Sequence, residues 1–325
     1  MIDFVGKLRP LTADDLSQVI EIDESNTGRS RKDFFEKRLA AALKDPKQYV
    51  YSAFENDDGI QGYLLARLQE GEFGGDKIIA VIDDIGVRHE LQGKAIGRLL
   101  MEELTRIIQK RNIQEIRSQA DWADQSMLRF FAAAGFKLAP RYIYERETGY
   151  LDRDITESDD EPLERDFSDP SGDDRAALSR DKVPCRSLKK EDGAAVIKID
   201  RKIVGYDRSR YFNRIIEEVF QDSAIRVSLV AECDDHVVGF VMARVDFGEF
   251  GKTEPAAVID TLGVDPGYAH RHVGSALLSQ LLANLAVLRA DYVRTEVGAR
   301  QLGLQGFLQK SGFSTAQSLS LLKEI

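Results

Sequence analysis

The chain is written twice. Adding 177 to a position in the first half reaches its counterpart in the second, with no gap from Arg9 to Phe136. Val19-Ile20 returns as Val196-Ile197, Ala66-Arg67 as Ala243-Arg244, and Gly135-Phe136 as Gly312-Phe313. Ala80-Val81-Ile82-Asp83 returns as Ala257-Val258-Ile259-Asp260, and Gly71-Glu72-Phe73-Gly74 as Gly248-Glu249-Phe250-Gly251. Solenoid repeats have periods of roughly 20–50 residues, so this one predicts two copies of a whole domain instead. The length of 325 residues agrees, at roughly 100–200 residues per domain. The expected boundaries are 1–148 for the first copy, 149–182 for a linker and 183–325 for the second.

The linker carries most of the charge. The whole chain is −10, and 152–182 holds twelve acidic residues against five basic ones, seven of those ten charges. With Pro162, Pro170 and Pro184 around it, the stretch reads as a solvated strap. The acidic balance argues against a nucleic-acid grip. No apolar run reaches about 18 residues, and the start lacks the basic and apolar blocks of a signal peptide. Cys185 and Cys233 are too few for a disulfide scaffold or a zinc site, so no metal is expected. A soluble cytoplasmic protein without a membrane partner is expected.

Each copy reads as helix, helix, hairpin, strand, loop, helix, strand, helix, strand, an α+β domain with a mostly antiparallel twisted sheet. Thr12-x-x-Asp15 looks like a helix-start box. Ser30 is placed to cap a second helix from Arg31 to Lys44, stopped before Pro46. Tyr49–Phe54 and Ile60–Leu68 form a hairpin about Asn56-Asp-Asp-Gly59. Ile78–Val87 reads as a buried strand. Ile96, Leu99, Leu100, Leu104, Ile107 and Ile108 then share one helix face. Glu115–Ala120, Ser126–Ala134 and Lys137–Tyr144 give a strand, a helix and a last strand.

The chemistry concentrates at Val87–Arg98. A glycine-bearing loop after a buried strand presents free N–H groups at a helix start, where the dipole adds about 0.3–2 kcal/mol for an anion. Small Gly93, Ala95 and Gly97 let a phosphate approach the backbone, and Lys94 and Arg98 add positive charge. The loop is neither the NTPase loop nor the dinucleotide fingerprint. Gln92-Gly-Lys-Ala-Ile-Gly97 resembles the Gln/Arg-x-x-Gly/Ala-x-Gly/Ala loop of the GNAT superfamily of acetyl-CoA-dependent N-acetyltransferases. Ile82-Asp-Asp-Ile-Gly-Val87 before it and Ser126–Phe136 after it fit the same pattern, nearly throughout 1–148 and again 183–325.

That resemblance implies acetyl-CoA as cosubstrate, held in a splay between the fourth and fifth strands. Backbone N–H groups of Gln92, Gly93, Lys94, Ala95, Ile96, Gly97 and Arg98 would bind the pyrophosphate. Ile85, Gly86 and Val87 would pair with the pantetheine arm, and a strand N–H would polarise the thioester carbonyl. A primary amine, of a small molecule or a peptide, would attack directly. Asp83 and Glu72 are the candidate bases. Strand alternation puts Asp83 on the Val87 face and turns Asp84 the other way. Each also has a structural reading, Asp83 as a partner of Arg67. The family's usual Tyr proton donor is replaced by Phe131 and Leu308, leaving Tyr142 or Tyr144 as substitutes. In the second copy His270 and His272 stand where the first has Gly93 and Ala95. This degenerate loop predicts weak cofactor binding there, or a packing role within an intramolecular pseudo-dimer. A non-catalytic acyl-CoA sensor or scaffold is the alternative to an enzyme.

Overall fold

A computed structural model describes residues 6–70, 77–148, 182–221, 227–247 and 255–325. The strap and the Gly71–Gly74 turn, with Glu72 on it, lie outside the described residues.

In the first copy Thr12 and Asp15 close a box, with Asp15 accepting from the Thr12 N–H at 2.7 Å and from Arg9 at 2.6 Å. Helix α1, Leu16–Thr27, follows and ends on Gly28 in the left-handed region. Helix α2, Lys32–Lys44, starts one residue later than expected. Its cap position is Arg31, not Ser30, and the Arg31 side chain turns inward to buried carboxylates. Strands β1 Lys7–Pro10, β2 Tyr49–Asn56, β3 Gly59–Glu70 and β4 Ile78–Val87 pair antiparallel in sequence order. Then come α3 Ile96–Lys110, β5 Glu115–Asp121 and α4 Gln125–Ala133. Asp124 caps α4 by accepting from the Ser126 and Met127 N–H groups.

The apolar pattern decides which face each helix covers. Ile96, Leu100, Leu104 and Ile108 of α3 are fully buried against Leu64, Ala66, Ala80 and Ile82 on one face of the sheet. Burying each such side chain contributes about 1.5–3 kcal/mol. Helices α1 and α2 cover the other face, packing Ile22, Phe34 and Phe35 on Tyr51, Tyr63 and Leu65.

The expected last strand, Lys137–Tyr144, is two strands. β6, Lys137–Leu138, stays at home, and β7, Arg141–Glu147, crosses to the other sheet. The second copy repeats the order with β8 Cys185–Ser187, α5 Gly193–Val204, α6 Ser209–Gln221, β9 Leu229–Cys233 and β10 His236–Phe247. It continues with β11 Pro255–Val264, α7 Val273–Val287, β12 Tyr292–Gly298, α8 Leu302–Lys310, β13 Ser314–Thr315 and β14 Ser318–Glu324. β7 pairs with β12 from Arg141–Gly298 to Glu147–Tyr292, and β14 pairs with β5 from Ser318–Asp121 to Glu324–Glu115. The sheets therefore run β1-β2-β3-β4-β5-β14-β6 and β13-β7-β12-β11-β10-β9-β8. Reciprocal bonds mark the crossing: the Ala139 N–H donates to Ser320 C=O at 2.9 Å, and Ala316 to Ile143 at 2.8 Å.

Candidate functional site

Parallel β4 and β5 pair only at Ala80–Ile116 and Val81–Arg117. Beyond that β4 follows β3 to Val87, while β5 follows β14. Among the described residues the β4 edge from Ile82 to Val87 that faces β5 thus carries no strand, and the sheet opens into a V. The second copy opens the same way after Val258–Arg294.

The loop stands at the mouth of the V. Gly93 and Ala95 both lie in the left-handed region, at φ 77° and 67°. Among the described residues, Leu99 is the first amide of α3 bonded back to the chain, to Ala95 C=O at 3.0 Å, and no side chain caps the helix. Among the described residues the N–H groups of Gly93, Ala95, Ile96, Gly97 and Arg98 have no backbone acceptor. Helix starts leave such orphan donors, and alternating backbone twist gathers them into an anion nest. Two predicted donors are already used: the Gln92 and Lys94 N–H groups bond His89 and Leu91 C=O, each at 3.3 Å. The Gln92 side chain braces the loop, donating to Asn26 at 3.0 Å, while Asn26 donates to Val87 C=O at 3.0 Å. Gly97 is small for a reason other than a ligand, because a Cβ there would meet the Phe130 ring at 2.9 Å. Gly86 likewise makes room for Tyr63.

The second loop differs in letters, not in course. His270 and His272 hold φ 62° each, the conformations of Gly93 and Ala95. Two bulky residues in that region are uncommon, and such strain concentrates at binding sites. The cleft behind them encloses about 980 Å³ between Leu262–Val264, the α7 start and Phe307 of α8. Its floor reaches Asp200, Arg208 and Thr261.

The floor of the first copy has one more carboxylate. A register shift opposite Leu65 and Ala66 leaves Asp83 as an extra residue in β4. This bulge overturns the alternation argument, because it turns Asp83 and Asp84 to the same face. Asp84 meets Arg31 at the start of α2, and Asp83 lies 3.8 Å from Arg38 on that helix. Ile85 and Val87 pack on the α3 side. Arg31 is shared between Asp84 and Asp23, donating from Nε to Asp23 at 2.9 Å, and all three are buried. Burial pushes Asp84 up to about 6, against the pull of Arg31. Tyr63, fully buried near Asp84, is pushed well above its usual range, chiefly by burial. The second copy keeps Asp200 and Arg208, with a 2.9 Å bond, but has Thr261 at the position of Asp84. Asp83 is held by Arg67 at 2.8 Å, the structural partnership open from sequence.

The Tyr candidates travel with β7. Tyr144 is 2% exposed in the second copy's core, and Tyr142 is 49% exposed on the same strand. Neither stands on the first sheet, where sequence order had put them. Phe131 and Leu308 are buried apolar residues, as their types predicted. Sequence reasoning missed Asp23 and Arg31, although both recur as Asp200 and Arg208 at the repeat offset.

The model of the acetyltransferase (GNAT) family matches residues 16–136 and 196–313. The chain belongs to that family. Two GNAT copies therefore stand in one chain, in a family that uses acyl-CoA. Among solved structures, a GCN5-related N-acetyltransferase from Sphaerobacter thermophilus is 15% identical, with TM-score 0.60 over 98% of this chain and 95% of that one. A tandem GNAT protein from the clavulanic acid biosynthesis pathway is 14% identical, with TM-score 0.64 over 98% of both chains. The glucosamine N-acetyltransferase region of a fungal multi-domain GH3 beta-N-acetylglucosaminidase gives TM-score 0.64 at 13% identity, where this chain covers 98% of itself and 38% of that protein. At these identities the likeness is one of fold. No curated protein matches the sequence. Among the described residues no helix is long and apolar enough to cross a membrane.

Proposed function

We propose that the first GNAT copy moves an acetyl group from acetyl-CoA to a primary amine in a ternary complex. The observation that carries this reading is the unpaired β4 edge leading to orphan amides at the α3 start. The pantetheine arm lies along Ile85–Val87, and the diphosphate meets the N–H groups of Gly93 and Ala95–Arg98. The amine nitrogen attacks the thioester carbon, whose oxygen is stabilised by a β4 N–H. A C–N bond forms, the C–S bond breaks, and CoA leaves as a thiolate that takes a proton from water. The amine's proton goes to Asp84, whose raised affinity suits a base working near neutral pH. Asp83, tied to Arg67, holds the amine in place. This reading puts the protein in the cytoplasm and its acceptor among small molecules and peptides. The two copies work as an intramolecular pseudo-dimer.

A second reading, acyl-CoA binding without transfer, fits the second copy. Its cleft encloses about 980 Å³ and its loop keeps the backbone course, but Thr261 supplies no base. Titrating the full chain with acetyl-CoA and following thiol release over an amine panel tests both. Gly93→Asp is the sharpest variant: a Cβ there meets nothing within 4 Å, and Asp tolerates positive φ. A carboxylate at the diphosphate position should weaken acetyl-CoA binding at least tenfold, while Gly93→Asn should lose less. Undiminished affinity in a folded Gly93→Asp protein would overturn the reading.

A further inference from the structure

The repeat supplies an internal comparison of the two clefts. In the first copy the end of α1 and the turn after it read Ser25-Asn-Thr-Gly-Arg29, and in the second the same place reads Lys202-Ile-Val-Gly-Tyr206. Asn26, Thr27 and Arg29 thus become Ile203, Val204 and Tyr206, and these three line the second cleft. The strands beneath change in the same sense: Asp84 becomes Thr261, and Tyr63 becomes Phe240. The Phe240 ring keeps the packing of the Tyr63 ring, edge-on to Phe212 at 5.6 Å as Tyr63 is to Phe35 at 5.7 Å, so only the hydroxyl is gone. Polar groups are lost together along one wall, on the side of the cleft away from the loop.

Ile203 is the centre of that wall. It is 47% exposed, yet a Cβ on Gly263 would lie 3.0 Å from its Cδ1. Gly263 is the counterpart of Gly86, in the strand segment that takes the pantetheine arm, and at Gly86 the three nearest atoms all belong to Tyr63. Asn26, the counterpart of Ile203, is instead spent on Val87 C=O and Gln92. Leu262, Leu304 and Phe307 add to the apolar lining. The charges on the floor are answered: Arg208 donates to Asp200 at 2.9 Å, and Lys202 to Asp265 at 2.5 Å. An ammonium therefore finds no open carboxylate among the described lining residues, while an uncharged chain finds a surface to cover. The loop end stays polar. Among the described residues Ala276 is the first α7 amide bonded back to the chain, to His272 C=O at 2.9 Å, as Leu99 is in α3.

We propose that the second copy binds a CoA thioester whose acyl group is an apolar chain longer than acetyl, laid against Ile203 and Val204. The inference rests on the reading of the second copy as an acyl-CoA binder without transfer. The diphosphate meets the amides at the α7 start, the pantetheine arm follows Leu262–Val264, and the chain continues past Gly263 toward Thr261. An acetyl group is too short to cover this wall. Each further methylene that leaves water there strengthens binding by about fourfold. The first copy, with Asn26 and Asp84 at the matching places, gains nothing from a longer chain.

The test is calorimetric titration of the full chain with hexanoyl-CoA, acetyl-CoA, CoA and free hexanoate. In Gly93→Asp protein, where the first site is weakened, hexanoyl-CoA should bind one site at least tenfold more tightly than acetyl-CoA. The parent chain, which needs no altered loop, should show the same preference at one of two sites. Ile203→Asn places the first copy's residue at an exposed position, so folding is spared. It should weaken hexanoyl-CoA at least fivefold and acetyl-CoA at the same site less than twofold, and Ile203→Leu should keep the parent affinity. Equal affinity for the two thioesters, or a preference that survives Ile203→Asn, overturns the inference. So does hexanoate binding as tightly as hexanoyl-CoA, which would make the wall a site for a free apolar ligand. A parent chain with one CoA site, lost in a folded Gly93→Asp protein, would instead overturn the reading of the second copy as an acyl-CoA binder.

Discussion

At the scale of single residues, Asp84 ties stability to pH. Its folded affinity for protons lies above the unfolded one, about 6 against 3.8. Between those values the folded state binds more protons, so Asp84 makes the protein less stable as pH rises from about 4 to 6. The contribution is on the order of 3 kcal/mol at 1.36 kcal/mol per unit. Asp84→Asn should lack this slope: its unfolding free energy relative to the parent should climb between pH 4 and 7 in denaturant titrations. The same variant should lose the acidic limb near pH 6 in acetyl transfer, together with most of the rate. A constant gap across that pH range would show that Asp84 does not titrate there. These roles were half legible. Two adjacent aspartates on a buried strand were visible, and the pairing of Asp83 with Arg67 was an open option. The bulge that turns both to one face was not, because an extra residue leaves no trace in the alternation of a strand buried on both sides.

Elements show where smallness serves packing and where it serves a ligand. Gly86 sits in the middle of β4, and a Cβ there would lie 2.5 Å from the buried ring of Tyr63. Tyr63 is 1% exposed and packs edge-on to Phe35, so it has nowhere to go. Gly86→Ala should destabilise by about 1–3 kcal/mol, read as a lower denaturant midpoint at constant m. Gly263→Ala, against Phe240, should do the same in the second copy. Gly93 has open space, so its substitution should act on ligand affinity far more than on packing. The sequence shows all these glycines alike. What separates them is the partner across the fold, which only the packed structure supplies. The histidines of the second loop carry a related lesson: letters that break a motif can keep its backbone, here at the cost of two residues in the left-handed region.

Over the whole molecule, the repeat announced two copies and their element order, and both are present. It did not announce the exchange of β7 and β14. Pairing within a copy or between copies satisfies the same alternation, since counterpart strands occupy equivalent places. The exchange has a direct consequence for dissection. A fragment ending at residue 148 lacks the β14 that covers β5, and its own β7 lacks β12. Two such fragments can supply each other's missing strand, so fragment 1–148 should sediment as a dimer, while the full chain sediments as one copy of itself at the same concentration. A stable monomeric fragment would mean that β7 folds back easily onto its own sheet. In the intact chain the crossing strands tie the two cores together, and thermal unfolding should be a single transition in calorimetry.

The crossing also sets an order on how the polypeptide is made. The strand that completes the first sheet begins at Ser318, about 200 residues after β5 ends at Asp121. At the ribosome's pace of ~5–20 residues per second, that edge stays bare for roughly 10–40 s on every nascent chain. A protein built this way asks its cell for a chaperone, or for sticky neighbours to be kept at a distance, until β14 emerges.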